Sequence, residues 1–320
     1  MPSLSPAPDG ILLVDKPTGW TSHDVVSRTR RLAGTRKVGH AGTLDPMATG
    51  LLVLGLGPST RLLTYLVGLD KTYEATIRLG QSTTTEDAEG EVLVTAPADA
   101  VAALSRDRLD AAVVALTGPQ QQVPSSVSAI KVDGRRAYDR VRAGEDVVLK
   151  PRSVTITAFE VRDVRAAITE QGAAVLDADV SVSCTSGTYV RALARDLGAA
   201  LEVGGHLTAL RRSRVGPFGL AEARPLDSFD DDHPVAEAFL RPAAVASALF
   251  PRVDLDAAEA RDLGHGKSIP IALEGDPAGR RGPIAAVGPG EDLVGLVSVT
   301  AGRSRVLVNF PTEARSGGDA

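Results

Sequence analysis

The chain has 320 residues, of which 43% are hydrophobic and 23% charged; this is ordinary for a soluble globular protein with room for one large domain and a small one, and it excludes disorder throughout. A formal net charge of -5 excludes a uniformly basic nucleic-acid binder, so any RNA contact must rely on local patches. The single cysteine, Cys184, excludes an internal disulfide or a thiolate metal cluster and reads as core filler.

Residues 1–9 read as a flexible start without the charged and apolar regions of a leader peptide. No apolar run approaches a membrane span, so a cytoplasmic protein without a membrane partner is expected. Gly10 to Val14 reads as a short strand, after which KPTGWTS turns into a helix capped by Ser22. Val25, Val26, Thr29, Leu32 and Ala33 give that helix one buried stripe, and Gly34 stops it. The runs at 51–57 and 61–67 read as a buried strand and a short helix. Lys71 to Leu79 alternates, with Tyr73, Ala75, Ile77 and Leu79 on the inner face. Helices are expected at 99–116 and 187–201, and strands at 152–161 and 173–184. Residues 120–150 are polar and basic with little periodicity, the mark of a functional or mobile loop. This order has no regular βαβ period, so an α+β fold with a mixed sheet is expected. A stretch rich in proline, aspartate and alanine at 223–250 reads as a linker region. Beyond it come a helix plus turn and strands near 284–288, 293–298 and 305–310, the layout of a small β-barrel, and then a disordered tail at 311–320. GHGKS at 264–268 resembles the end of a phosphate-binding loop, but Arg261 stands where that motif needs glycine.

The chemistry concentrates in two adjacent segments. RTRRLAGTRK (28–37) holds Arg28, Arg30, Arg31, Arg36 and Lys37 with no acid, which suits phosphate contacts. Further patches lie at 131–142, beginning with Lys131, and at 191–214; each could equally be a solvated face. GHAGTLDPMATG (39–50) follows the first patch and sets Asp45 in a glycine-rich turn where Asp-Pro can fix its direction. The alternative is that Asp45 caps a helix starting at Pro46.

GHAGTLDPMATG closely matches the signature GHxGxLDPxATG of the tRNA pseudouridine-55 synthases. Four further blocks resemble that family's segments in its order: GILLVDKPTGWTSHDVV, DKTYEATIRLGQSTTTEDAEGEV, PSSVSAIKVDGRRAYDRVRAGEDV, and SCTSGTYVRALARDLGAAL with GGHLTALRRSRVG. The resemblance spans about residues 10–216. It implies the pseudouridine synthase fold, a mainly antiparallel sheet with flanking helices, in a catalytic domain at 10–222. Residues 120–150, with Lys131, would be a loop that closes over RNA. Residues 251–310 resemble, more loosely, a PUA-type RNA-binding domain.

The resemblance also implies roles. Asp45 would be the catalytic carboxylate and Arg191 its partner. Tyr73 would stack on the uracil, Tyr189 and Leu210 would line the uridine site, and His40 would enter the space left by a flipped base. Each has a plainer reading from sequence alone: Arg191 paired with Asp196 on the surface, Tyr73 packed with Ile77 and Leu79, Tyr189 and Leu210 as helix-end packing, and His40 as a turn residue. Arg30, Arg31, Arg36 and Lys131 are the candidate phosphate contacts. With no second ligand at suitable spacing, no metal is expected.

Isomerising uridine means breaking the bond from C1′ to N1, turning the uracil and rejoining it through C5. This is not a redox reaction, and no cofactor is expected. It needs an ionised carboxylate beside the sugar, as a nucleophile at C1′ or as a base toward the 2′ proton. The target base must be flipped out of its loop to be reached. The expected partner is therefore the TΨC stem-loop of tRNA, with a monomeric enzyme that requires no protein partner and whose catalysis survives without residues 251–320. Two other classes stand beside this: a non-catalytic tRNA-binding or refolding module, against which the intact Asp45, Tyr73 and Arg191 argue, and a synthase acting on another RNA.

Overall fold

The computed structural model describes residues 8–125, 149–230, 232–271 and 282–310, with the backbone alone at 131–132 and 135–136. The expected flexible start, apart from residues 8 and 9, and the expected tail lie outside the described residues, as does most of the 120–150 loop. In chain order the first half forms β1 (Gly10–Lys16), α1 (Ser22–Leu32), β2 (Val38–His40), β3 (Thr49–Leu56), α2 (Leu63–Val67), β4 (Lys71–Leu79), β5 (Gln81–Thr83), β6 (Val92–Thr95), α3 (Ala98–Ala102), α4 (Arg106–Ala115) and β7 (Gly118–Gln122). A short hairpin, β8 (Lys131–Val132) and β9 (Arg135–Arg136), leads to β10 (Arg152–Ile168), β11 (Ala174–Cys184), α5 (Val190–Ala200), β12 (Gly205–Val215), β13 (Phe218–Gly219) and β14 (Arg224–Pro225). The chain ends in α6 (Pro242–Leu249), β15 (Arg252–Asp254), α7 (Ala257–Gly264), β16 (Ile284–Val287), β17 (Leu293–Thr300) and β18 (Arg303–Asn309).

The main sheet runs β14-β1-β3-β12-β4-β11-β10-β7, with β2 on β3 and β13 on β12. Only β1 with β14 and β3 with β12 pair in parallel, so the sheet is mixed and mainly antiparallel, as expected. Alternation works in β4: Lys71, Tyr73, Ala75, Ile77 and Leu79 are buried and the residues between them half-buried. From Leu51 onward β3 is apolar because both its faces are covered, Leu52, Leu54 and Leu56 joining one core and Leu51 and Val53 another. α5 lies directly on β12 through paired glycines. A Cβ on Gly198 would fall 2.1 Å from the Gly205 nitrogen, so any larger residue there would push the helix off the sheet.

Several element bounds differ from the sequence reading, each for a local reason. Thr21, not Ser22, caps α1: its hydroxyl accepts from the Asp24 amide while the Asp24 carboxylate accepts from the Thr21 amide, a complete capping box. The helix expected over 99–116 is broken into α3 and α4 at Ser105, whose extended backbone and side chain cap the second. α5 starts at Val190, since Thr188 closes a turn onto Thr185 and Tyr189 is extended. β10 continues to Ile168, beyond the apolar run, because charged pairs such as Arg165–Asp179 take over from apolar contacts with β11. The start of the 120–150 segment is strand β7, paired with β10.

The C-terminal part is less separate than its composition suggests. Residues 223–250 are packed rather than linking: Leu226, Phe229 and Val235 are in the main core, and Ala243, Val245 and Ala246 in the second. Among the described residues β15-β16-β17-β18 form a four-stranded sheet with its own small core, without closing into a barrel. One face of this sheet shares a core with the main sheet, where Val287, Leu293, Leu296 and Phe310 join Ile11, Leu13, Leu51 and Val53. Burying such side chains is worth about 1.5–3 kcal/mol each. Deleting residues 251–320 should therefore cost on the order of 5 kcal/mol, comparable to a whole domain's stability. A thermal melt of the truncated protein is expected to show a strongly lowered or lost transition, in place of the unchanged melt of an independent domain.

Candidate active site

One open cavity of about 580 Å³ is lined by His40, Asp45, Tyr73, Tyr189, Arg191 and Leu210, the six residues singled out from the sequence for the reaction centre. Lys71, Arg152 and Arg212 also line it. Because β4 and β12 are antiparallel neighbours, Tyr73 stands opposite Arg212 and Ala75 opposite Leu210, which sets these side chains on one floor. α5 and the turn before it supply Tyr189 and Arg191, and the turn after β2 supplies Asp45.

Asp45 does not cap a helix. Its carbonyl accepts from the Ala48 amide in a tight turn, and β3 begins at Thr49. The immediate entry into β3 depends on Gly50, whose φ is +98 and whose Cβ, if present, would fall 2.3 Å from the Arg212 carbonyl oxygen. Three buried side chains from three elements clamp this turn. Arg212 donates to the carbonyls of Gly42 (3.0 Å) and Leu51 (2.8 Å). Lys16 donates to the Pro46 carbonyl at 3.2 Å and to the Trp20 carbonyl at 2.5 Å, and burial lowers its ammonium to about 8. Ser22, freed from capping, donates to the Leu44 carbonyl (3.2 Å) and accepts from the Leu44 amide (2.9 Å). Ser22→Ala would orphan both buried backbone groups beside Asp45, and urea unfolding should register a loss of about 1–3 kcal/mol.

Arg191 is 5% exposed and links two carboxylates. Its Nε lies 3.0 Å from Asp45 Oδ2, and its Nη1 lies 3.6 Å from Asp87 Oδ2. Nη1 also donates to the Thr85 carbonyl at 2.8 Å and to Ser125 Oγ at 3.2 Å. The surface pairing with Asp196 is absent; Arg195 takes that partner at 2.8 Å. The Asp45 carboxylate is 37% exposed and open to the cavity, whereas that of Asp87 is 4% exposed behind the guanidinium. A single fork thus aims one carboxylate outward while a buried one anchors it.

Tyr73 fits both of its readings, being part of the main core and also of the cavity floor. Burial raises its phenol above the ordinary value, so it stays protonated at neutral pH. Burial, with the charges of His23 and Arg212, lowers His40, which is therefore neutral at pH 7. Tyr189 precedes α5 with its backbone gripped by Gln122, which accepts from its amide (2.8 Å) and donates to its carbonyl (3.1 Å).

The expected phosphate contacts are not in this cavity. Arg30 turns back to donate to the Val38 carbonyl at 3.2 Å, Arg36 is exposed in the turn before β2, and Arg31 lines a second cavity. The Lys131 side chain lies outside the described residues. Sequence reasoning missed Asp87, Arg212, Lys71 and Ser22. Burial lowers the Lys71 ammonium to about 8. The available signals were the Glu-Asp pair in TTTEDAEG and the second arginine of LRRSRVG, charged residues in segments that otherwise read as turn and strand. Among the described residues no group of three or more His, Cys, Asp or Glu side chains could hold a metal ion, and no helix is long and apolar enough to cross a membrane.

The arrangement offers a guanidinium-held carboxylate at the rim of a cavity with an aromatic and aliphatic floor, suited to attack or proton removal at a sugar carbon next to a planar base. Comparison with known proteins agrees with that chemistry. Residues 30–190 match the model of the TruB family pseudouridylate synthase N-terminal domain. Residues 191–247 match the tRNA pseudouridylate synthase B C-terminal domain, and residues 250–311 the C-terminal model of tRNA pseudouridine synthase II. A protein named tRNA pseudouridine synthase B from Leifsonia xyli subsp. xyli is 55% identical over 304 residues, covering 95% of this chain and 97% of that one. Its namesake from Arthrobacter sp. is 56% identical, covering 96% and 99%. Among solved structures, a chain from a Cbf5-Nop10-Gar1 complex has a TM-score of 0.66 at 23% identity, over 94% of this chain and 85% of that one, which supports the fold. With the site residues collinear in sequence, gathered in space and embedded in a match that runs almost end to end, the chain belongs to the TruB family of pseudouridylate synthases.

Proposed function

We propose that the protein converts uridine to pseudouridine at position 55 in the TΨC loop of tRNA, without a cofactor or a guide RNA. The observation that carries this reading is the Arg191-held, cavity-facing carboxylate of Asp45, in a cavity also lined by Tyr73 and Leu210. The names of the Leifsonia and Arthrobacter relatives support tRNA as the substrate. On this reading the uridine leaves its stack and its base lies against the ring of Tyr73, while His40 fills the gap left in the loop. Asp45 acts at the ribose as the C1′–N1 bond breaks. The uracil, still enclosed between Tyr73 and Leu210, turns and bonds through C5, whose proton is then lost. A protonated Tyr73 suits this: it offers a flat face and a hydrogen-bond donor without a competing charge.

The experiment is chemical mapping of pseudouridine, by carbodiimide adducts and mass, in unmodified tRNA incubated with the purified protein alone. A single adduct at position 55 is expected. Modification elsewhere only, or none, would overturn the reading.

A further inference from the structure

A second cavity, of about 640 Å³, lies at the end of β1 and is lined by Trp20, Arg28, Arg31, Arg211, Asp15 and Asp227 among others. Its walls are unlike those of a structural crevice. Arg28 and Arg31 are one helical turn apart on α1 and face the same space. Neither guanidinium makes a hydrogen bond or ion pair among the described residues. Arg211 is already used, donating to Asp15 at 2.6 Å and to Thr49 at 3.2 Å. With Arg211 satisfying Asp15 and only exposed Asp227 opposing them, the two free arginines leave the cavity cationic. Trp20, the only tryptophan of the chain, adds a partly buried indole whose backbone is held by Lys16.

The loop beside this cavity is also bonded to the turn of the reaction centre. The Gly19 amide donates to the Pro46 carbonyl at 2.8 Å, and the Thr18 hydroxyl to the Met47 carbonyl at 3.4 Å. The loop that carries Trp20 is thus tied to the turn that carries Asp45.

Resting on the RNA reading above, we propose that this second cavity is a nucleotide subsite: an unstacked base of the substrate strand lies on Trp20, and its flanking phosphates lie between Arg28 and Arg31. An aromatic face accepts any base, and two unpaired guanidiniums at helical spacing suit consecutive phosphate oxygens. The site would hold the RNA strand beyond the flipped uridine, and it moves the role expected of Arg30 and Arg36 to Arg28 and Arg31.

The lone tryptophan makes the test direct. Full-length protein carrying Asp45→Asn, which leaves the RNA unreacted, is titrated with a TΨC stem-loop transcript while Trp20 fluorescence is followed. Saturable quenching is expected. In the same background Arg28→Gln/Arg31→Gln should weaken binding about tenfold or more at low salt and reduce the magnitude of the log–log salt slope by roughly 1.4–1.8, about 0.7–0.9 per phosphate lost. Arg28→Lys/Arg31→Lys should keep the wild-type slope. Both arginines are on a helix surface, so circular dichroism should show all variants folded. RNA binding with unchanged fluorescence, or a glutamine variant with an unchanged slope, would overturn the subsite. Quenching by a protein whose Asp45 form makes no pseudouridine would instead overturn the function and leave the subsite standing.

Discussion

Asp45→Asn is expected to remove all measurable pseudouridine formation while tRNA affinity stays within a few fold of wild type. Asparagine keeps the size of the side chain but supplies neither a nucleophile nor a base for the ribose. The other carboxylate on Arg191 cannot take over. Asp87 is the nearest alternative on Arg191, yet its carboxylate is 4% exposed and lies behind the guanidinium, out of reach of a substrate in the cavity. The same geometry protects the fold. With Asp45 neutralised, Arg191 still faces Asp87 and still donates to Thr85 and Ser125, so the substitution does not strand a buried charge. On the proposed function affinity survives, because phosphate and loop contacts would supply it while the carboxylate would act on the reacting atoms. The measurement is a single-turnover assay with enzyme in excess, beside a filter-binding titration of the same preparation. Residual turnover by pure Asp45→Asn protein would remove Asp45 from the reaction.

How far the sequence could be read depends on which signal each residue leaves. The strands with a clean pattern were legible: Lys71–Leu79 alternates because one face meets the core, and the run at 51–57, the body of Thr49–Leu56, lacks polar side chains because both faces do. Long charged strands were not. The outer half of Arg152–Ile168 is held by pairs such as Arg162 with Glu74 and Arg165 with Asp179, contacts between segments far apart in sequence. Asp45, Tyr73 and Arg191 could be picked out through a resemblance, since each has a credible plain role when read singly. The second carboxylate on Arg191 and the clamps on the Asp45 turn could not. Ser22 reads as a helix cap until Thr21 is seen to fill that position, and Asp87 reads as a turn residue until the turn folds beneath Arg191. The composition of residues 223–250 likewise suggested a linker, because small apolar residues such as Ala243 and Ala246 give a weak periodic signal even when fully packed.

Arg191→Lys should slow turnover by roughly tenfold to a hundredfold, or about 1.4–2.7 kcal/mol of transition-state stabilisation, with a smaller change in KM. Charge is retained, so the loss isolates geometry. Arginine reaches Asp45 with Nε while Nη1 serves Asp87, Thr85 and Ser125, all from one planar fork. An ammonium is a single point at the end of a flexible stem. In the low-dielectric space beside Asp87 it is drawn to the buried carboxylate, and the more open Asp45 loses the contact that fixes its direction. A carboxylate free to rotate at the rim spends less time aligned with the sugar, and misplacement on this scale is costly for a positioned group. Folding should be nearly intact, since the anchor carboxylate keeps a cation. Arg191→Gln should be worse on both counts, losing activity and about 3–5 kcal/mol of stability because Asp87 is left buried without a counter-charge. Single-turnover rates and urea midpoints measured on both variants separate the two effects. A lysine variant as fast as wild type would show that the fork does not position Asp45, and a glutamine variant as stable as wild type would show that Asp87 does not depend on Arg191.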